Sequence, residues 1–178
     1  IREYLRGSDM VYLTAGMGGG TGTGAIPIIA QAAKEMGILT VAVVTKPFMF
    51  EGTRRMRYAE EGIAKLRQCV DALIVVPNDR LLQICRKETP LSESFSMVDE
   101  VLRQAVQGVT DLVTRPGMVN VDFADLKAVM KHAGTAVMGV GCAKGEDRIE
   151  NALKEALESP LMECSMHGAK GVLMNIKY

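Results

Sequence analysis

Residues 16–24 read GMGGGTGTG, six glycines and two threonines in nine positions. Each glycine costs chain entropy, so packing alone does not explain such density. An apolar run at 10–15 precedes it. A helical pattern follows, with Ile26, Ile29, Ala30 and Ala33 on one face and Pro27 placed in the first turn. The glycines therefore read as the turn between a buried strand and a helix start. Backbone N–H groups and the positive helix end converge there, an arrangement suited to a phosphate. The hydroxyls of Thr21 and Thr23 add donors.

Two familiar phosphate loops fit poorly. The P-loop requires a lysine directly after its last glycine, and none follows here until Lys34. The dinucleotide fingerprint fits Gly20, Gly22 and Ala25. It also needs an acid about 20 residues on, at the end of the next strand. That region reads Thr45-Lys46-Pro47-Phe48, with no acid before Glu51. A nicotinamide-dependent oxidoreductase is therefore a weak reading.

The 178 residues allow one large domain or one and a half small ones, and 48% hydrophobic content supports a core. Lys+Arg 21 against Asp+Glu 21 leaves no basic excess for nucleic acid or an acidic membrane. Cys69, Cys85, Cys142 and Cys164 are scattered, with only His132 and His167 to join them. No metal site is expected, and unclustered thiols fit a reducing cytoplasm. No apolar run approaches the roughly 20 residues of a membrane span, and no secretory signal is visible in a chain that begins at Ile1.

Strand and helix signals alternate along the chain, which predicts an α/β fold with a parallel sheet. Strands are expected at 10–15, 38–44, 70–76, 135–140 and 171–176. The helix after the glycines should stop at Met36-Gly37. Met56, Ala59, Ile63 and Leu66 mark the next. Thr89 as cap and Pro90 as first residue open a long helix. Its seam runs through Leu91, Phe95, Val98, Leu102, Ala105, Val109 and Leu112, and Arg115-Pro116-Gly117 ends it. A short helix follows Asp122. Ile149, Ala152, Leu153, Ala156 and Leu157 form a last helical face, stopped at Ser159-Pro160.

GGGTGTG at 18–24 resembles the phosphate loop of the tubulin and FtsZ superfamily. Thr45-Lys46-Pro47-Phe48 and Phe50-Glu51-Gly52 resemble the ribose-side loop of the FtsZ family. Pro77-Asn78-Asp79 resembles its next loop, the block from Asn120 through Asp125 its catalytic loop, and Gly145-Glu146-Asp147-Arg148 a further block. The match runs in order from about Asp9 to the last residue. The resemblance implies a bacterial cell-division GTPase that polymerises head-to-tail in the cytoplasm at the division site, binding GTP or GDP with Mg²⁺. Its fold would be a partial Rossmann-like parallel sheet with helices on both faces. Residues 1–90 would form a partial GTP-binding domain, 91–114 a central connecting helix, and 115–178 the catalytic loop and a truncated C-terminal domain.

The resemblance also assigns residues. Gly18, Gly19, Gly20, Thr21, Gly22, Thr23 and Gly24 would hold the phosphates. Glu51 would accept from ribose hydroxyls and Arg55 reach a phosphate, although a surface Glu–Arg pair four residues apart is the plainer reading. Phe95 would stack on guanine, where core packing is the default. Asp99 would accept from guanine N1–H and N2–H₂; adenine offers an acceptor where guanine offers a donor. Asn78 would touch the nucleotide, though Asn-Asp ahead of a helix is also plain N-capping. Asp122 with Asp125 three residues on likewise matches a helix cap. In the family these carboxylates polarise a water at the neighbouring subunit's GTP, with Asn120 at the phosphates. Hydrolysis would then need a head-to-tail contact.

The resemblance leads one to expect a first strand and another glycine-rich loop ahead of residue 10, and a tail that binds division-ring adaptors. Without them the chain alone should be a poor GTPase. A tubulin-like plasmid-partition or cell-shape filament would share GGGTGTG but match residues 120–125 less closely. A non-enzymatic interaction module would not need the Asp122 and Asp125 pair.

Overall fold

The computed structural model describes residues 1–82, 90–114, 122–159 and 168–176. Four parallel strands form one sheet in the order β1-β2-β3-β4. They are β1 (Met10–Gly16), β2 (Leu39–Lys46), β3 (Ala72–Pro77) and β4 (Gly134–Ala136). The helices are α1 (Arg2–Leu5), α2 (Gly20–Glu35), α3 (Thr53–Cys69), α4 (Asn78–Leu82), α5 (Leu91–Thr114), α6 (Phe123–Met130) and α7 (Arg148–Leu157).

β2 is buried along nearly its whole length because both sheet faces are covered. Its alternate side chains serve different layers. Ala42 and Val44 join Leu13, Leu73 and Val75 under α2 and α3, through Ile26, Ala30, Ala59, Ile63 and Leu66. Val41 and Val43 face the other way. There α5 covers the C-terminal half of the strands, where Val98, Val101 and Ala105 meet Val43, Ile74 and Val76. The N-terminal half lies under α6, whose Leu126 and Met130 meet Leu39, Val41 and Ala72. Each fully buried valine of β2 contributes about 1.5–3 kcal/mol over an exposed one. The expected fold, a parallel sheet with helices on both faces, is the observed one.

Several local expectations change. α2 begins at Gly20, inside the glycine run, so Pro27 lies a full turn or more beyond the first turn. With no N–H at Pro27, the Thr23 carbonyl loses its ordinary helical donor. Pro90 precedes α5 rather than opening it, and its carbonyl accepts from the Glu93 and Ser94 amides. Phe95 is 41% exposed, off the buried line through Ser94, Val98, Val101 and Ala105. Thr89, residues 115–117, Pro160, Cys85, Cys164, His167 and the Leu91 and Leu112 side chains lie outside what is described.

β4 keeps only three residues of the strand expected at 135–140, because the ladder to β3 stops at Ile74↔Ala136. Residues 171–176 have the alternation of a strand but no ladder among the described residues, and Val172, Met174 and Ile176 are exposed. The apolar face of α7 is formed as expected, yet Ile149, Leu153 and Leu157 remain exposed. Among the described residues, no helix is long and apolar enough to cross a membrane, and no cluster could hold a metal ion.

Candidate nucleotide site

The glycine segment leaves the C-terminal end of β1, the usual ligand end of a parallel α/β sheet. It turns at Gly18 (φ 98°) and enters α2 through Gly19, which has no side chain to cap the helix. The first-turn N–H groups of α2 therefore have no intrahelical partner. Thr23 closes the turn: its Oγ1 accepts the Gly18 N–H at 2.8 Å.

The glycines divide by cause. A β-carbon on Gly18 would stand 2.8 Å from the Arg55 carbonyl oxygen, and one on Gly22 2.7 Å from the Gly16 carbonyl oxygen. Those two are glycine because the protein's own backbone is there. Gly19, Gly20 and Gly24 face open space, with no neighbour within 4 Å and no positive φ. Among the described residues, nothing demands glycine at these three positions.

A cleft of about 380 Å³ opens over this segment, lined by Gly18, Gly19, Gly20, Glu51, Arg54, Arg55 and Tyr58. The four-residue spacing of Glu51 and Arg55 suits one helical face. Instead Glu51 ends a 3-10 turn (Met49–Glu51), Arg55 belongs to α3, and Gly52 at φ 101° bends the chain between them. They still meet, Arg55 Nη1 lying 2.9 Å from Glu51 Oε2. The other Glu51 oxygen accepts the Phe48 N–H at 2.8 Å. Both carboxylate oxygens thus hold the turn in shape, with the side chain only 12% exposed. Arg54 and Tyr58 were not singled out in the sequence. Their signal is the α3 periodicity, which turns both of them away from the buried face of Ala59 and Ile63.

The remaining residues sit further out. Phe95 meets Phe48 edge-on at 5.3 Å, and Phe48 stacks on Phe50 at 4.8 Å. This aromatic group joins α5 to the turn that carries Glu51. Asp99 is exposed one helical turn beyond Phe95. Asn78 is 5% exposed, and its Oδ1 has no partner among the described atoms. Next to it, Asp79 Oδ1 accepts the Met49 N–H at 3.0 Å and so ties the β3 exit to the same turn.

Asp122 is a helix cap, its Oδ1 accepting the Asp125 N–H at 2.8 Å. Asp125 is exposed in the first turn of α6. Asn120 lies outside the described residues. The glycine segment departs level with Thr45, whereas α6 packs on Leu39 and Val41. That offset of four to six residues along β2 is roughly 13–20 Å at ~3.3 Å per residue. The two acids and the glycine cleft occupy opposite ends of one sheet.

Residues 1–86 match the Tubulin/FtsZ family, GTPase domain, and residues 134–177 match the FtsZ family, C-terminal domain. Among solved structures, an empty FtsZ dimer from M. jannaschii is 48% identical, with TM-score 0.86, over 90% of this chain and 46% of that one. A mutant FtsZ from the same organism gives 48% identity and TM-score 0.87, over 91% and 48%. A CetZ from Methanosaeta thermophila, 22% identical with TM-score 0.71 over 85% and 43%, shares the fold. The chain spans just under half the length of the solved structures it matches. Matched at both ends to one family, and identical to FtsZ at nearly half of its aligned positions, the chain belongs to the tubulin/FtsZ family.

Proposed function

We propose that this chain is the nucleotide-binding and carboxylate-presenting part of a GTP-hydrolysing cytoskeletal protein that assembles head-to-tail. One observation carries the reading. Gly19, Gly20 and Gly24 have ordinary backbone angles and no described neighbour within 4 Å, at an uncapped helix start where Gly19 and Gly20 line a cleft with Arg54 and Arg55. Glycine there serves something outside the chain that must come close to the backbone, and a phosphate group fits. Arg55 is half-exposed and already oriented by Glu51, so it can turn to a phosphate without crossing an apolar barrier.

On this reading Gly18, Gly19, Gly20, Thr21, Gly22, Thr23 and Gly24 cradle the phosphates, and Glu51 and Asn78 lie on the ribose side. Phe95 stacks on the base, and Asp99 selects guanine. Mg²⁺ would arrive on the nucleotide's phosphate oxygens, since no described carboxylate cluster is built to hold it. Asp122 and Asp125, with Asn120, would orient the attacking water, which is chiefly a matter of position and electrostatics. Their distance from the cleft in the same chain favours action on a neighbour's nucleotide. A patch that meets a different patch on the next copy generates an open filament.

We assign residues 1–90 to the nucleotide domain, 91–114 to the connecting helix and 115–178 to the carboxylate loop and the start of a second domain. A role in cell division, a cytoplasmic location at the division site and adaptor partners are further parts of this proposal, resting on the family. The test is nucleotide binding and phosphate release by the complete protein. GTP should bind well ahead of ATP, and release per subunit should rise with protein concentration. Equal affinity for the two nucleotides, or turnover independent of concentration, would overturn the reading.

A further inference from the structure

We propose that Asp71 is a positioning residue that fixes α6 on the sheet and thereby sets where Asp122 and Asp125 are presented. This inference rests on the functional reading above.

Asp71 stands immediately before β3 and is 6% exposed. It makes five polar contacts with two other elements. Its N–H donates to the Thr40 carbonyl at 2.8 Å, and its Oδ2 accepts the Thr40 N–H at 3.0 Å. These lock it to the start of β2. Its carbonyl accepts the Gly134 N–H at 2.8 Å. Its Oδ1 accepts the His132 N–H at 3.4 Å, and the His132 Nδ1 lies 3.4 Å from that same oxygen. These hold the turn between α6 and β4. A carboxylate this buried needs such donors to be tolerated.

The turn is unusual. His132 sits at φ 59°, the one positive φ outside glycine among the described residues, and Gly134 follows at φ 73°. A non-glycine residue holds that conformation only where its surroundings over-determine it. The Asp71 carboxylate is what bonds to its N–H. Elsewhere α6 meets the sheet through Phe123, Leu126 and Met130, an apolar contact with no preferred direction. Such a contact allows a helix to slide or roll; hydrogen bonds at its end do not. α6 has eight residues and so spans about 12 Å. A roll or slip at its C-terminal end is carried rigidly to Asp125 in its first turn. In-line attack is sensitive to such displacement, about 1 Å costing on the order of 10²-fold.

The test is to mix variants of the complete protein so that Asp71→Ala is the sole source of one half of the productive contact, first the carboxylates and then the nucleotide site. Mixed with Asp125→Ala, it is the sole source of competent carboxylates. Mixed with Gly20→Asp, whose cradle is blocked, it is the sole source of nucleotide sites. The expected result is a loss of roughly tenfold or more in GTP turnover in the first mixture, against a matched mixture with Asp71 intact, and little loss in the second. Asp71→Asn, which keeps one acceptor, should show a smaller loss in the first mixture alone; it decides the question if Asp71→Ala does not fold. Equal loss in both mixtures would mean that Asp71 merely supports the fold, and no loss in either would mean that it positions nothing. An unsubstituted protein that fails to hydrolyse GTP would instead bring down the functional reading beneath it.

Discussion

Gly62 of α3 lies directly against Thr23 of α2: a β-carbon on Gly62 would stand 2.4 Å from Thr23 Cγ2 and 2.8 Å from Met17 Cε. Thr23 is the residue whose hydroxyl closes the glycine turn, so the fit between the two helices sets the shape of the glycine cleft. Gly62→Ala should cost about 1–3 kcal/mol through overpacking and also lower nucleotide affinity. Thr23→Ser keeps the hydroxyl and removes the offending methyl. The double variant should therefore recover stability in urea unfolding. Failure of the serine to compensate would show that the strain is relieved elsewhere.

Gly18 and Gly20 should separate stability from binding. Gly18→Ala places a β-carbon against the Arg55 backbone at φ 98° and should destabilise by about 1–3 kcal/mol. Gly20→Ala meets nothing and exchanges a poor helix former for a good one, worth up to about 1 kcal/mol in favour of folding. Its nucleotide affinity should nonetheless fall. Full affinity in Gly20→Ala, read by equilibrium titration, would remove the close-approach argument.

Asp122 and Asp125 should differ in what they cost. Asp122→Ala loses a helix cap and about 1 kcal/mol of stability, while Asp122→Asn retains most of it. Asp125 is exposed, so Asp125→Ala should leave the unfolding midpoint nearly unchanged and abolish turnover without weakening nucleotide binding. A mixture with a nucleotide-blind protein should restore hydrolysis. Parallel loss of binding and turnover would place Asp125 at its own chain's cleft.

Asp99→Ala should reduce GTP affinity by on the order of 1–3 kcal/mol, the cost of leaving base donors unpaired, and should narrow the preference for GTP over ATP. Competition binding with the two nucleotides measures both. Unchanged discrimination would reassign Asp99 to the surface of α5.

The parts most legible in the sequence are those with one strong local cause. The apolar run of β2 could only be a strand buried on both faces, and Met36-Gly37 stops α2 through Gly37 at φ 75°. Glycine density located the turn but not where helix begins inside it, because residues 20–24 fit either state until Thr23 bonds Gly18. The spacing of Glu51 and Arg55 suggests one helix, whereas Gly52 bends the chain between them and the pair meets across that bend. Arg54 and Tyr58 are not legible as site residues, because a polar helix face gives no sign of what stands opposite. Asp71 is equally illegible. An acid ahead of a strand reads as a turn residue until three segments are seen to meet on it. Residues 137–140 and 171–176 carry strand patterns, but a strand also needs a neighbour, which pattern alone does not supply.

If copies assemble head-to-tail as proposed, the opposed placement of the glycine cleft and α6 makes the two ends of the row chemically unlike. On the proposed reading, a subunit whose cleft faces solvent has no neighbour to present carboxylates, and its nucleotide persists. A subunit whose α6 faces solvent has its own cleft served by the copy behind it, and its nucleotide is spent. Age would then be inscribed along the row, with the freshest nucleotide always at the same tip.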